Sequence, residues 1–466
     1  MDALDLARWQ FGITTVYHFL FVPITIGMSF LVAIMQTAWV RTGNERWLRL
    51  TKFYGKLFLI NFAMGIVTGI VQEFQFGMNW SSYSRFVGDI FGAPLAIEGL
   101  VAFFLESTFL GLWIFGWDRL PKRVHLATIW LAAIGTLLSA YFILAANSWM
   151  QHPVGYEYNA EAGRAELNDF AAVLTNKVAL VTVPHTIFAA FLTAGAFVAG
   201  IAMWRLIRRP DEDREAFRSA LRLGAVTVLI AGAGTAVSGD FQAKIMTDVQ
   251  PMKMAAAEAL YDDAQPASFS ILTIGSLSGN EEVFSIRIPR LLSFLAEGDP
   301  NAEVRGINDI QAEYQQTYGP GDYKPNIPVA YWTFRLMIGV GGLAVLAALW
   351  MLWATRKGRS PTSRWLLLTA VLLPFLPLLG NSFGWIFTEM GRQPWIVFGL
   401  MPTSAGVSPG TSVAEVITSM SVFTLLYGGL AVVEVGLLLK YIRAGLPDVE
   451  PTEPGDSDER PMAFTY

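Results

Sequence analysis

An apolar run closes at GWIFTEMGRQPW, residues 384–395, with Glu389 in its last turn and Arg392 and Gln393 just beyond. A helix ending at a membrane boundary needs only an aromatic anchor, which Trp395 supplies. A carboxylate, a guanidinium and an amide at that point need another reason. Other polar side chains stand in equally apolar surroundings: His18 in TTVYHFLF, Glu98 and Glu106 in LAIEGLVAFFLES, His185 in TVPHTIF, and Arg335 in FRLMIGV with Met337 two residues on. An ionisable group near a bilayer centre costs at least ~2.5–3.5 kcal/mol on insertion scales, so each is a functional candidate with a partner to find. Imidazole, or imidazole opposite Met, binds haem iron, and the second pairing raises its potential. A carboxylate is a weaker ligand that leaves iron high-spin, with a position open to a substrate such as dioxygen. The same carboxylates suit the ion path of a transporter, and a lone His or Met also suits packing.

The elements that position these groups are membrane helices. Of 466 residues 53% are hydrophobic and only 15% charged, against about 25% charged in an average soluble domain. A spanning helix needs roughly 20 apolar residues, and nine such stretches are read at 14–40, 54–76, 95–117, 124–147, 178–204, 220–238, 331–354, 365–388 and 412–440. The expected class is all-α and polytopic. Its parts are helices one to six (1–238), a long polar loop (239–330), helices seven to nine (331–444) and an acidic, disordered tail (445–466). The opening MDALDLARW places two acids before its first base, unlike a cleaved signal peptide, so the first span is expected to stay.

Basic residues set the orientation. The loops after spans one, three, five and seven, with the span ends flanking them, carry 18 Lys and Arg; the other short loops and the N-terminus carry 5. The N-terminus is therefore expected outside and the C-terminus inside, with the 239–330 loop outside. His18, Glu98, His185, Met337 and Glu389 then fall in one layer toward the outer face. The net charge of −5 argues against a nucleic-acid partner, and the absence of Cys excludes thiolate metal sites, Cys-ligated haem and covalently attached haem. His125, in an inner loop, and His152, in an outer QHP, are expected to be solvated. On a regular α-helix Glu98 and Glu106 lie ~12 Å and about 80° apart, a spacing suited to proton relay.

The motif GWIFTEMGRQPW resembles the GWxxxExGRQPW signature of cytochrome bd quinol oxidase subunit I. The resemblance continues through FGAPLAIEGLVAFFLEST, LSAYFILAANSWMQHP and DVQPMKMAAAEA, and covers all nine spans in order. It implies a low-spin haem b held by His185 and Met337 with Arg335 nearby, and a high-spin haem b and haem d held by Glu389 and His18. His18 is assigned to haem d and Glu389 to the high-spin haem b. Arg392, Gln393 and Trp385 belong to the cofactor surroundings. The resemblance also makes 239–330 a short form of the quinol-binding loop, with Lys253 and Glu258 as quinol-site residues. Five residues apart on a helix, those two stand roughly 140° apart and need not share a face. Glu106 and Glu98, with Ser139 and Asn147 on the next span, make a proton path from the inner side.

The implied activity is oxidation of membrane quinol at the outer face and reduction of dioxygen to water, generating membrane potential without a pump. The implied partners are a second membrane subunit, with room for a small single-span one, and the implied location is the bacterial cytoplasmic membrane. The alternatives are a haem-b-only variant of the family, a dihaem cytochrome lacking an oxygen site, and an ion or solute transporter.

Overall fold

In the computed structural model, residues 2–276, 279, 281–359 and 361–448 are described. Among them nine helices are long and apolar enough to cross a membrane: Ala3–Thr42, Glu45–Met78, Ser81–Phe115, Lys122–Gln151, Phe170–Arg208, Arg214–Val249, Ile327–Gly358, Arg364–Met390 and Val413–Ala444. Each coincides with one of the nine stretches read from the sequence; the helices mostly run longer, but the third ends at Phe115, two residues short of the stretch read to 117, and the ninth begins at Val413, one residue after 412. The sixth runs past residue 238 to Val249. Most of the acidic tail, residues 449–466, lies outside the described residues.

Spans apolar on every side pack through small residues and not through a hydrophobic stripe. Spans five and six meet at Gly195 and Gly224, where a Cβ on either glycine would stand 2.7 Å from a carbonyl oxygen or amide nitrogen of the other span. Most of the main core comes from spans one, two, five and six, among them Leu31, Tyr54, Phe58, Val198 and Phe217. By contrast, spans three, seven and nine leave most of their apolar surface open.

Several spans are interrupted where the polar residues lie. Span one is two helices, Ala3–His18 and Val22–Thr42, with Pro23 opening the second. Proline has no N–H to continue the ladder; beside the break the Phe21 carbonyl accepts both the Thr25 N–H and Asn61 Nδ2 of span two, each at 2.9 Å. Irregular backbone at membrane depth survives only when such groups find partners. Span three passes through a wide π turn at Glu98–Phe103, and span eight breaks before Phe375 at Pro374.

The 239–330 loop folds into a short helix Pro251–Glu258, an antiparallel hairpin of Phe269–Gly275 with Glu282–Ile288, and helices Leu291–Glu297 and Ile307–Tyr318.

Candidate haem cavity and quinol site

One cavity of about 2430 Å³ runs through the bundle, and His18, His185, Met337 and Glu389 all line it. A small-molecule pocket is typically ~300–1,000 Å³, so there is space for more than one large planar group.

Local chemistry fixes the state of each imidazole. His18 Nδ1 lies 2.8 Å from the Thr68 hydroxyl, which itself donates to the Met64 carbonyl at 2.9 Å. With its proton committed there, Thr68 can only accept, so His18 carries its hydrogen on Nδ1 and keeps the Nε2 lone pair free. The arrangement repeats at His185. Its Nδ1 lies 3.2 Å from Ser238 Oγ, and Ser238 donates to the Gly234 carbonyl at 2.7 Å. Orienting an imidazole through its remote nitrogen is how proteins prepare a metal ligand.

Space beside each candidate ligand is kept by glycine. A Cβ on Gly69 would meet His18 Cε1 at 3.3 Å, one on Gly239 would meet His185 Cε1 at 3.2 Å, and one on Gly384 would meet Met337 Sδ at 2.8 Å. The pairs Thr68-Gly69 and Ser238-Gly239 each provide a hydroxyl and a gap facing one histidine. Sequence reasoning missed both, although a hydroxyl-glycine dipeptide in two spans was a visible signal.

Glu389 is held at both oxygens: Oε1 accepts from Asn147 Nδ2 at 3.0 Å, and Oε2 pairs with Arg392. Arg392 is 3% exposed and also donates to the Trp395 carbonyl, while its Nη1 is buried without a partner. Gln393 is fully engaged, donating to the Glu389 carbonyl and accepting from Arg8 and Thr403. Trp385 lines the cavity, its ring 6.2 Å from Phe11 and 6.0 Å from Phe19. The cavity size, the free Nε2 atoms, the glycine gaps and an unpartnered guanidinium N–H suited to a carboxylate such as a haem propionate together fit haem.

The expected relay residues also line this cavity. Ser139 Oγ donates to Glu98 Oε1 at 2.5 Å, whereas Asn147 is engaged with Glu389. Glu106 is buried against Gly135 of span four, where an added Cβ would stand 3.0 Å from its Cα. The π turn between Glu98 and Glu106 rotates less per residue than an α-helix. Eight residues therefore fall nearer two full turns, and the two carboxylates lie closer in azimuth than the 80° of a regular helix.

Lys253 and Glu258 separate, as their angular spacing allows. Glu258 reaches the cavity, pairs with Arg335 Nη2 at 2.7 Å, and accepts the Ser270 N–H at 3.1 Å. Burial raises its pKa above the ordinary carboxylate range, an effect that Arg335, Ser270 and Arg287 partly offset. Arg335 lies over the rings of Phe269, Tyr331 and Phe334, with Nε and Nη1 unpartnered. Lys253 is outside the cavity, buried against Gly391, and donates to Gln151 Oε1 at 2.5 Å. Burial first, and Arg392 second, lower its pKa well below the usual lysine value.

One expectation is corrected. His125 is not solvated but 2% exposed within span four. Both ring nitrogens are used, by Gln36 Nε2 at 2.9 Å and the Trp113 carbonyl at 2.8 Å, so it is a structural histidine. His152, directly after span four, is half-buried. Glu434, 7% exposed in span nine, was passed over in the sequence.

A profile of the family described as cytochrome bd terminal oxidase subunit I matches residues 6–446. The chain is 47% identical to cytochrome bd ubiquinol oxidase subunit 1 of Bacillus subtilis, over 96% of this chain and 94% of that one. It is 36% identical to cytochrome bd-II ubiquinol oxidase subunit 1 of Escherichia coli, over 97% and 99% respectively. Among solved structures, the bd oxidase from Geobacillus thermodenitrificans matches with a TM-score of 0.85 at 29% identity, covering 95% of this chain and 99% of that one.

Proposed function

Since the chain belongs to the cytochrome bd terminal oxidase subunit I family, we propose that it is the haem-bearing subunit of a quinol:oxygen oxidoreductase in a bacterial cytoplasmic membrane. The observation that carries this reading is one cavity lined by two imidazoles with free Nε2 atoms, a thioether and a braced carboxylate. His185 and Met337 would hold a low-spin haem b, Glu389 a high-spin haem b, and His18 haem d. When bound, haem would supply the redox chemistry for oxidising quinol and reducing dioxygen.

The protein's own groups handle protons and position. Glu258, raised in pKa and steadied by Arg335 and the Ser270 N–H, accepts a proton from a quinol hydroxyl, since a base near the operating pH transfers protons best. Lys253 stands apart from Glu258, bonded to Gln151 Oε1 and packed against Gly391, beside the Glu389–Arg392 end of the chain's outer face. Arg392 holds Glu389 in place and offers Nη1 to a propionate. Glu106, Glu98 and Ser139 carry protons from the inner side, with Asn147 setting the Glu389 end of the cavity. Protons released outside and taken up inside generate potential without a pump. The open flanks of spans three and nine suit a second membrane subunit, with space for a small single-span one.

The test uses the holoenzyme in proteoliposomes with added quinol, recording haem content, oxygen uptake and membrane potential together. The expected result is uptake with a potential, and loss of haem and turnover in Glu389→Ala and His185→Ala. Intact pigment and turnover in both variants overturn the ligand assignment; turnover without potential overturns the inward proton path.

A further inference from the structure

The hairpin formed by Phe269–Gly275 and Glu282–Ile288 is built inside out. Its protein-facing side is polar: Ser270 and Thr273 are buried, and Arg287 turns inward to the Ala259 carbonyl. Its outer side is apolar and open: Ile271 is 51% exposed, Ile274 48%, Phe284 52% and Ile286 47%, with Ile274 and Phe284 paired across the strands. This surface lies in a loop with 13 acids and 6 bases, where an aqueous exterior favours the opposite arrangement. Contiguous exposed apolar surface of this kind marks a contact with something other than water.

The position of the hairpin says what that contact is. Tyr331, in the first turns of span seven, bonds Ser270 Oγ at 2.7 Å and the Thr273 N–H at 2.6 Å. The next residue, Trp332, is 40% exposed, and Leu336 and Ile338 continue the open apolar flank of the same span. The strands are thus pinned at the level where a membrane helix enters the interface, and their apolar side extends the lipid-facing belt of span seven. The same strand also walls the carboxylate site: Ser270 donates its N–H to Glu258, and the Phe269 ring lies 4.7 Å from the Arg335 guanidinium carbon.

We propose that these two strands form a membrane-resting flap, seated in outer-leaflet lipid through Ile271, Ile274, Phe284 and Ile286, past which a hydrophobic quinol moves laterally from lipid to Glu258. The lipid contact stands on the exposure and tethering alone; the quinol path rests also on the reading of Glu258 above.

The chain has no cysteine, so single nitroxide labels at Phe284→Cys and Ile286→Cys can be read in the vesicle-bound holoenzyme, after subtracting the signal of enzyme without an introduced cysteine. Glu303→Cys, exposed in the same loop, is the aqueous control. The expected result is that labels at 284 and 286 collide with dissolved oxygen in preference to a water-soluble nickel chelate, with the preference reversed at 303. Nickel access at 284 equal to that at 303 overturns the proposal, and so does shielding of 284 and 286 from both probes, which indicates a protein partner. The double variant Ile274→Ser/Phe284→Ser is expected to raise KM severalfold for a long-tailed quinol while leaving KM for a short-chain, water-soluble quinol and kcat unchanged. Equal KM changes for both quinols, or none, overturn the lateral path. Glu258→Gln distinguishes the two readings: if it abolishes quinol oxidation while the labels report water, the quinol site stands and the flap fails.

Discussion

Replacing Gly384 with Ala tests Met337 as a ligand without touching it. The new methyl carbon starts 2.8 Å from Met337 Sδ, and ordinary contact begins near 3.4 Å, so the sulfur must withdraw by 0.6 Å. Overpacking costs about 1–3 kcal/mol. Because the displaced atom lies near the end of a flexible side chain, the cost falls toward the lower figure and the fold survives. Metal ligation is less tolerant, with acceptable distances within about ±0.2 Å. A sulfur moved by three times that tolerance no longer holds iron as before. The expected outcome in purified holoenzyme is loss of low-spin character by electron paramagnetic resonance, a lower haem potential because the thioether that raised it is gone, and slower oxygen uptake with total haem largely kept. Gly339→Ala is the control, since a methyl there meets nothing within 4 Å. If Gly384→Ala shows the low-spin signal and potential of the parent enzyme, Met337 is not a ligand and the reasoning fails.

Thr68→Val and Ser238→Ala remove the acceptors that set the His18 and His185 tautomers; each is expected to weaken retention of its own haem roughly 10–100-fold, measured by pigment loss under dilution in detergent. For quinol oxidation, kcat/KM should fall as pH drops through the Glu258 pKa, at a pH above the ordinary carboxylate range. Arg335→Leu removes a cation that lowers that pKa, so the acid limb should move to higher pH; a limb that stays put or moves down counts against Glu258 as the base. Lys253 has a folded-state pKa below its unfolded value, so the unfolded chain binds more protons between the two and stability rises with pH across that window. Lys253→Met should therefore raise the thermal midpoint at neutral pH, by an amount that shrinks toward alkaline pH, as followed by tryptophan fluorescence.

The spans were legible because lipid demands long apolar runs, and the cavity-lining His and Glu residues because hydrocarbon tolerates such groups only with a purpose. Span one shows where that legibility ended. Hydropathy reads 14–40 as continuous, while the break after His18 depends on Pro23 and on Asn61, a residue of another span that adds a bond to the Phe21 carbonyl beside the break. His125 was misread for the same reason: a histidine near a basic loop looks solvated until Gln36 and Trp113 are brought to it by folding. Thr68 and Ser238 carried no signal from burial or charge, since hydroxyls commonly satisfy their own helix carbonyls. Their second role appears only once a histidine from another span lies opposite.

The walls of the cavity bear on how such a protein matures. His18 emerges in the first span and Glu389 in the eighth, so the chamber has no complete lining until most of the chain has left the ribosome. Arg8, near the start, is anchored on Gln393, and Gln10 is anchored on Ser419 of the final span. Closure of the chamber therefore waits for the last two spans, and truncation after span seven is expected to leave it open and without Glu389.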